Sequence, residues 1–292
     1  CLMKIKEKFF FFGFGQTAKY FVSELLRQKR NFTFLSTNTK KTKTYYFKKK
    51  RFVSFKFKDN LFDKEIKKNL LDSNFVLISI PPQKTQDVVL KNFAQTLKDS
   101  KIKKIIYLSA TSVYGNHNGK WVNENSKLKG KTFFGSRRKK IEKLWLNFKD
   151  KTKKDVNILR VSGIYSKESN VLKKIKKSNI LVKEKKYFSR IRIEDLARII
   201  NKLFLSKEKS LILNASDDKP STNTEVAYYA AKLLKIKKLN KVSILSFKNK
   251  MIKEFYKDSK KVSNKRMKSK LKIKLKYPTY KEGLNNIFRK SI

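Results

Sequence analysis

Two groups of residues have types and spacings suited to chemistry. The first is Gly13-Phe14-Gly15-Gln16-Thr17-Ala18, a G-x-G-x-x-A arrangement placed directly after Phe9-Phe10-Phe11-Phe12. Gly13 permits a tight turn, Gly15 lets backbone approach a pyrophosphate, and Ala18 lets a following helix pack closely on the preceding strand. The amides that open that helix are donors for an anion. The pattern points to a dinucleotide, although a plain structural turn between strand and helix would use the same residues. The second group is Thr111, Ser112 and Tyr114, with His117, the only histidine, close behind. These are groups able to move protons, and an imidazole titrates near neutrality. One His and one Cys cannot build a zinc site, so no metal centre is expected.

The elements that must position these residues can be read from periodicity. Residues 9–12 form a buried strand, and Ala18, Phe21, Val22, Leu25 and Leu26 repeat at three and four, predicting a helix over 16–28. Strands are expected at 31–36, 51–57, 74–80, 104–109 and 156–161, with helices at 63–71, 86–97 and 132–148. The near-continuous apolar run of 74–80 suits a parallel strand buried on both faces, and Pro81-Pro82 ends it. Alternation of this kind predicts an α/β fold, a Rossmann-type doubly wound parallel sheet. After Tyr165 the lysine content rises and the pattern loosens. The expected division is therefore an NAD(P)-binding Rossmann domain over 1–165 and a region 166–292. The latter would partly return to the first domain and carry a small substrate-side α/β lobe.

Composition bounds the function. The 292 residues are 39% hydrophobic, with 23 Phe, enough apolar mass for a sizeable core. The single cysteine, Cys1, excludes a disulfide framework and suits a reducing, cytoplasmic setting. A chain that begins at Cys rather than Met points to a clipped N-terminus. No apolar run approaches the roughly 20 residues of a membrane span. Lys and Arg number 75 against 23 Asp and Glu, a formal charge of +52. The lysines occur in nearly every segment, and neither a basic tail nor an aromatic-plus-basic block stands apart from them. Nonspecific adhesion to polyanions follows from the charge alone.

The second strand bears on cofactor choice. NAD-binding turns commonly carry Asp or Glu about 20 residues past the glycines, to hold the ribose hydroxyls. Here the stretch is Leu35-Ser36-Thr37-Asn38-Thr39-Lys40-Lys41, without an acid. The missing carboxylate, with Ser36 and Lys40 in its neighbourhood, predicts NADP over NAD. Asp59, closing the third expected strand, is a candidate for the adenine side, or else a solvated turn residue. Ile80 and Pro81 at the end of the fourth expected strand and Ser109 at the end of the fifth complete the candidate cofactor contacts.

Tyr107-Leu108-Ser109-Ala110-Thr111-Ser112-Val113-Tyr114-Gly115 resembles the S-x-x-x-V-Y-G segment of the extended short-chain dehydrogenases/reductases, the NAD-dependent epimerase/dehydratase group. Arg160-Val161-Ser162-Gly163-Ile164-Tyr165 is similar to the group's R-x-x-x-I-Y-G, with Ser166 in place of the glycine. Arg190–Ala197 resembles R-I-H-V-x-D-x-A, and Leu213–Pro220 resembles N-x-x-D-D-x-P. Residues 277–284 resemble a closing Y-P-x-x-x-x-G-L. Together these cover nearly the whole chain. The resemblance implies a dinucleotide cofactor, a small-molecule substrate such as a sugar nucleotide or other polar carbonyl or hydroxyl compound, and a homodimer.

The group's proton-transfer set does not carry over. It consists of a Tyr-x-x-x-Lys helix and a Ser or Thr four residues before the V-Y-G tyrosine. The tyrosine is the acid/base, and the lysine binds ribose and lowers the tyrosine's pKa. Counting back from Tyr114 puts Ala110 at the Ser/Thr position. Anchoring on Glu142, the group's usual helix acid, puts Phe134 at the tyrosine and Arg138 at the lysine. Phe cannot transfer a proton, and Arg138 would hold ribose or phosphate rather than deprotonate. Glu124 falls where the group has V-D-E, with a structural or substrate-side role. Three functions fit this set: an NAD(P)-dependent oxidoreductase or epimerase with a rearranged acid/base, a degenerate cofactor-binding sensor or scaffold, and a polyanion- or nucleic-acid-associated protein.

Overall fold

The computed structural model describes residues 6–82 and 86–290. Cys1 lies outside them. The chain divides into two compact units. Of the described residues, 6–82, 86–109, 137–159 and 196–212 belong to unit 1, and 110–136, 160–195 and 213–290 to unit 2. The chain thus passes between the units several times.

The large sheet has nine strands, most of them in unit 1. Its strands are β1 (Glu7–Phe12), β2 (Phe32–Asn38), β3 (Lys43–Phe47), β4 (Lys50–Lys58), β5 (Leu61–Phe62), β6 (Phe75–Ile78), β7 (Lys104–Ala110), β8 (Val156–Val161) and β9 (Ile212–Ala215). The order is β9-β8-β7-β6-β1-β2-β4-β3, with β5 paired to β4. β1 lies between β2 and β6, parallel to both. β3 and β5 run antiparallel to β4. Helices α1 (Gln16–Arg27), α2 (Glu65–Leu71), α3 (Val88–Asp99), α4 (Phe133–Thr152) and α5 (Ile193–Leu205) complete the alternation.

The central place of β1 explains its unbroken phenylalanine run. Phe9 and Phe11 meet Phe21 of α1 at 5.6 and 5.9 Å between ring centroids. Phe10 and Phe12 point to the other face, where Phe12 meets Phe57 and Phe93 at 5.8 and 5.6 Å. With helices on both sides, Phe9–Phe12 are all buried and none of the four is polar, so alternation vanishes from this part of the strand. Truncating one such ring to alanine costs about 3–5 kcal/mol. A further tie is Lys104 at the start of β7, whose buried ammonium donates to the carbonyls of Leu203, Ser206 and Glu208 at the end of α5.

Unit 2 packs the helices Val171–Ser178, Asn223–Leu233 and Tyr280–Arg289 around Leu172, Ile175, Val226, Ala230, Leu284 and Ile287. Thr222 with Glu225 and Thr279 with Glu282 form capping boxes that start two of these helices. The motif over Arg190–Ala197 is structural here. Arg192 is buried, pairs with Glu194 and stacks over Tyr277 at 4.9 Å. Asp195 accepts the amides of Lys276 and Tyr277 at 2.8 and 2.7 Å. Among the described residues no helix is long and apolar enough to cross a membrane.

Candidate functional site

The glycine turn of unit 1 joins β1 to α1. Gly13 has φ +90°, which disfavours any side chain, and its N–H donates to Thr37 Oγ1 at 3.0 Å. From β6's end, the Ser79 hydroxyl donates to the Phe12 carbonyl at 3.1 Å, and a Cβ on Gly13 would come 3.1 Å from that hydroxyl. Gly15 differs. Its φ of −84° is open to any residue, and a Cβ there would meet nothing within 4 Å. The fold of the described residues therefore does not require glycine at position 15, whereas an approaching ligand would.

Gly15 is also the N-cap of α1, so no side chain caps the helix, and its first turn holds no acid. Such an end favours an anion. Gln16 is exposed, Thr17 half-buried and Ala18 fully buried against the sheet, as close helix packing requires. Phe14 turns into the protein, its ring 4.8 Å from Phe52 and 5.4 Å from Phe34. The residues present fit a dinucleotide's pyrophosphate. Sequence reasoning missed Thr37 and Ser79, because their role depends on the register of β1 with its two neighbours.

The end of β2 is built differently from its appearance in sequence. Ser36 is buried and donates to Ser54 Oγ at 2.9 Å. Asn38 organises the following turn: its Oδ1 accepts the amides of Lys40 and Lys41 at 2.8 and 3.1 Å, and its Nδ2 donates to the Ser54 carbonyl at 3.1 Å. The Lys40 side chain is exposed. Asp59 is exposed at φ +53° in the turn from β4 to β5, with its carbonyl held by Asn92 Nδ2 at 3.0 Å. Ile80 flanks Gly13, and Pro81 is exposed.

At the end of β7, Ser109 is buried and donates to Glu142 Oε1 at 2.5 Å. Arg138, one turn earlier on α4, donates from Nη1 to the Leu108 carbonyl at 3.0 Å. Burial drives the Tyr107 phenol far above its usual range, so it remains protonated.

In unit 2, Ala110 precedes a 3-10 turn over Thr111–Tyr114. A Cβ on Gly130 or Gly135 would come 2.7 or 2.5 Å from the Ser112 carbonyl, so both glycines let this turn press against the start of α4. That clamp has a signal in sequence, the pair Gly130 and Gly135 bracketing the helix start. Thr111 is half-buried, and Ser112 Oγ is buried without a hydrogen-bond partner among the described residues.

Tyr114 is fully buried. Its hydroxyl donates to Asn214 Oδ1 at 2.7 Å and accepts from Arg160 Nη1 at 3.1 Å. Burial raises its pKa, so the phenol is held neutral within this network. His117 Nε2 lies 3.1 Å from the carbonyls of both Tyr114 and Lys127, a tether within its loop. Glu124 accepts the Asn214 amide at 2.9 Å. Phe134 is exposed near the start of α4, 5.2 Å from Phe133. No cluster of metal-ligating side chains occurs among the described residues.

No model of a protein family and no curated protein matches the sequence. Solved structures do match. A functionally unknown conserved protein from Silicibacter pomeroyi superposes with a TM-score of 0.81 at 24% identity, covering 97% of this chain and 99% of that one. MoeE5, solved with UDP-glucuronic acid and NAD, gives 0.76 at 14%, covering 98% and 100%. UDP-glucuronic acid 4-epimerase from Bacillus cereus, solved with NAD, gives 0.76 at 15%, covering 97% and 95%. The chain shares the Rossmann-type α/β fold of these structures. In an open parallel sheet of this kind, ligands lie beyond the carboxyl ends of the strands. Gly13, Thr37, Ser79 and Ser109 all sit at such ends in this sheet.

Proposed function

We propose that the chain binds a nicotinamide dinucleotide over Gly13–Ala18 and is a protein of the epimerase/dehydratase type. Its substrate would be a sugar-nucleotide-like or other polar carbonyl or hydroxyl compound. The observation that carries this reading is the glycine at position 15, which faces open space beside an α1 N-terminus without side-chain cap or acid. MoeE5 and the Bacillus cereus epimerase, which share the fold, were solved with NAD. That favours NAD here over the NADP expected from the missing acid. When bound, the dinucleotide supplies reversible hydride transfer.

The chain's own residues bind and orient. Thr37 fixes the turn through the Gly13 amide, the first amides of α1 face the phosphates, and Arg138 is positioned by the Leu108 carbonyl. None of them is a ready acid/base. Tyr114 is engaged by Asn214 and Arg160, and Phe134 carries no hydroxyl. This favours a second reading, a cofactor-binding protein with little turnover. Titrating wild type and Gly15→Val with NADH, then screening carbonyl substrates, separates binding from turnover. Binding lost in the variant supports the cofactor site, and binding kept in both proteins refutes it.

A further inference from the structure

In the sequence no aromatic-plus-basic block stands apart from the lysine background, but the structure assembles one at the β3–β4 hairpin. β3 is the edge strand of the large sheet. Phe47 pairs with Lys50, so Lys48 and Lys49 alone make the turn, both at positive φ as a two-residue hairpin needs. Residues 40–51 hold seven Lys and Arg side chains and no acid.

Two tyrosines project from this strand. Tyr46 is 71% exposed and stands directly opposite Arg51 in register, so ring and guanidinium share one face. The Arg51 side chain makes no ion pair or hydrogen bond with any described residue. On the other face Tyr45 is 37% exposed, packed 5.9 Å from Phe52, with the Lys43 ammonium 5.9 Å from its centroid. Beside the hairpin lies a groove of about 330 Å³, whose lining includes Lys40, Lys41, Lys56, Leu61 and Phe62. Asp63, also in that lining, is already engaged by the Thr42 hydroxyl at 2.6 Å and the Glu65 amide at 3.0 Å.

Lysines on an edge strand also discourage strand addition by another chain. That accounts for Lys43. It does not account for an open tyrosine beside an unpaired arginine, where an apolar ring is left in water at the most basic stretch of the sheet.

We infer that this hairpin binds single-stranded nucleic acid. A base stacks on Tyr46, and phosphates lie against Arg51 and the turn lysines. Stacking needs a base free of its duplex, and every base offers a π-face, so the preference is for single strands without strong sequence choice. Cations along the hairpin neutralise phosphates and make the binding salt-dependent.

The test uses the full chain and a labelled short oligothymidine, read by fluorescence anisotropy over a salt series. Tyr46→Ala is expected to weaken binding roughly tenfold, with Tyr46→Phe close to wild type. Neutralising Lys48, Lys49 and Arg51 to Gln should flatten the salt dependence. The same charge change at Lys174, Lys176 and Lys177, exposed on the helix Val171–Ser178, should do much less. Melting curves confirm that each variant is folded, which these surface changes favour. Inorganic polyphosphate, with charge but no bases, should compete weakly and be indifferent to Tyr46→Ala. Equal losses from the two charge triplets, no effect of Tyr46→Ala, or duplex bound as tightly as single strand would each overturn the proposal.

Discussion

Thr37 Oγ1 accepts the Gly13 N–H at 3.0 Å, tying the glycine turn to the end of the neighbouring strand. Thr37 is itself buried. Thr37→Val keeps the shape and removes the acceptor, leaving a turn amide unsatisfied at a cost of about 1–3 kcal/mol. We expect weaker NADH binding with a folded protein, read by fluorescence titration and a melting curve. Wild-type affinity in the variant would show that this bond does not position the turn.

If Phe134, Arg138 and Ala110 stand at the proton-transfer positions, as the resemblance implies, turnover should be weak. Phe134→Tyr with Ala110→Ser restores two of the three groups, and Arg138→Lys the third. General acid–base help is worth about 10²- to 10⁴-fold, so restoration should be visible in kcat. Arg138→Lys also removes the guanidinium bond to the Leu108 carbonyl, so it belongs in a separate step of the series. Robust wild-type turnover that survives Tyr114→Phe, Thr111→Ala and His117→Ala would contradict the role assignment.

Stability should depend on pH through Asp217 in unit 2. Burial pushes its carboxyl up to about 8, against the pull of the Lys219 amide, and its Oδ2 lacks a partner among the described residues. The unfolded carboxyl ionises near 3.8 while the folded one keeps its proton to about 8. Its contribution is thus full below about pH 4 and is lost as pH rises toward 8, at up to about 1.4 kcal/mol per pH unit. Asp217→Asn should flatten that fall in urea denaturation measured between pH 5 and 8. An unchanged slope would place the titration elsewhere.

Much of this was legible in the residues themselves. The run Phe9–Phe12, the turn that follows and the strand–helix alternation predicted the sheet, because burial on both faces leaves no polar interruption to misread. β3 was not legible. No strand was expected over residues 43–47, since an exposed edge strand need not alternate apolar and polar. Tyr114 looked like a free phenol in the sequence. Asn214 and Arg160, which engage it, are 100 and 46 residues away. Ser36 and Asn38 likewise changed meaning once their bonds across to Ser54 on β4 were seen. Contacts that depend on strand register leave no local signal.

The most direct measurement of the central claim is NADH affinity in Gly15→Val. Gly13→Val is a poorer probe, since φ +90° and the nearby Ser79 hydroxyl would strain the fold itself. At Gly15 the backbone accepts a side chain, and nothing lies within 4 Å of the added Cβ. The account predicts a melting temperature close to wild type together with lost NADH binding, because the valine fills space the pyrophosphate needs. Wild-type affinity in a folded Gly15→Val protein would contradict it.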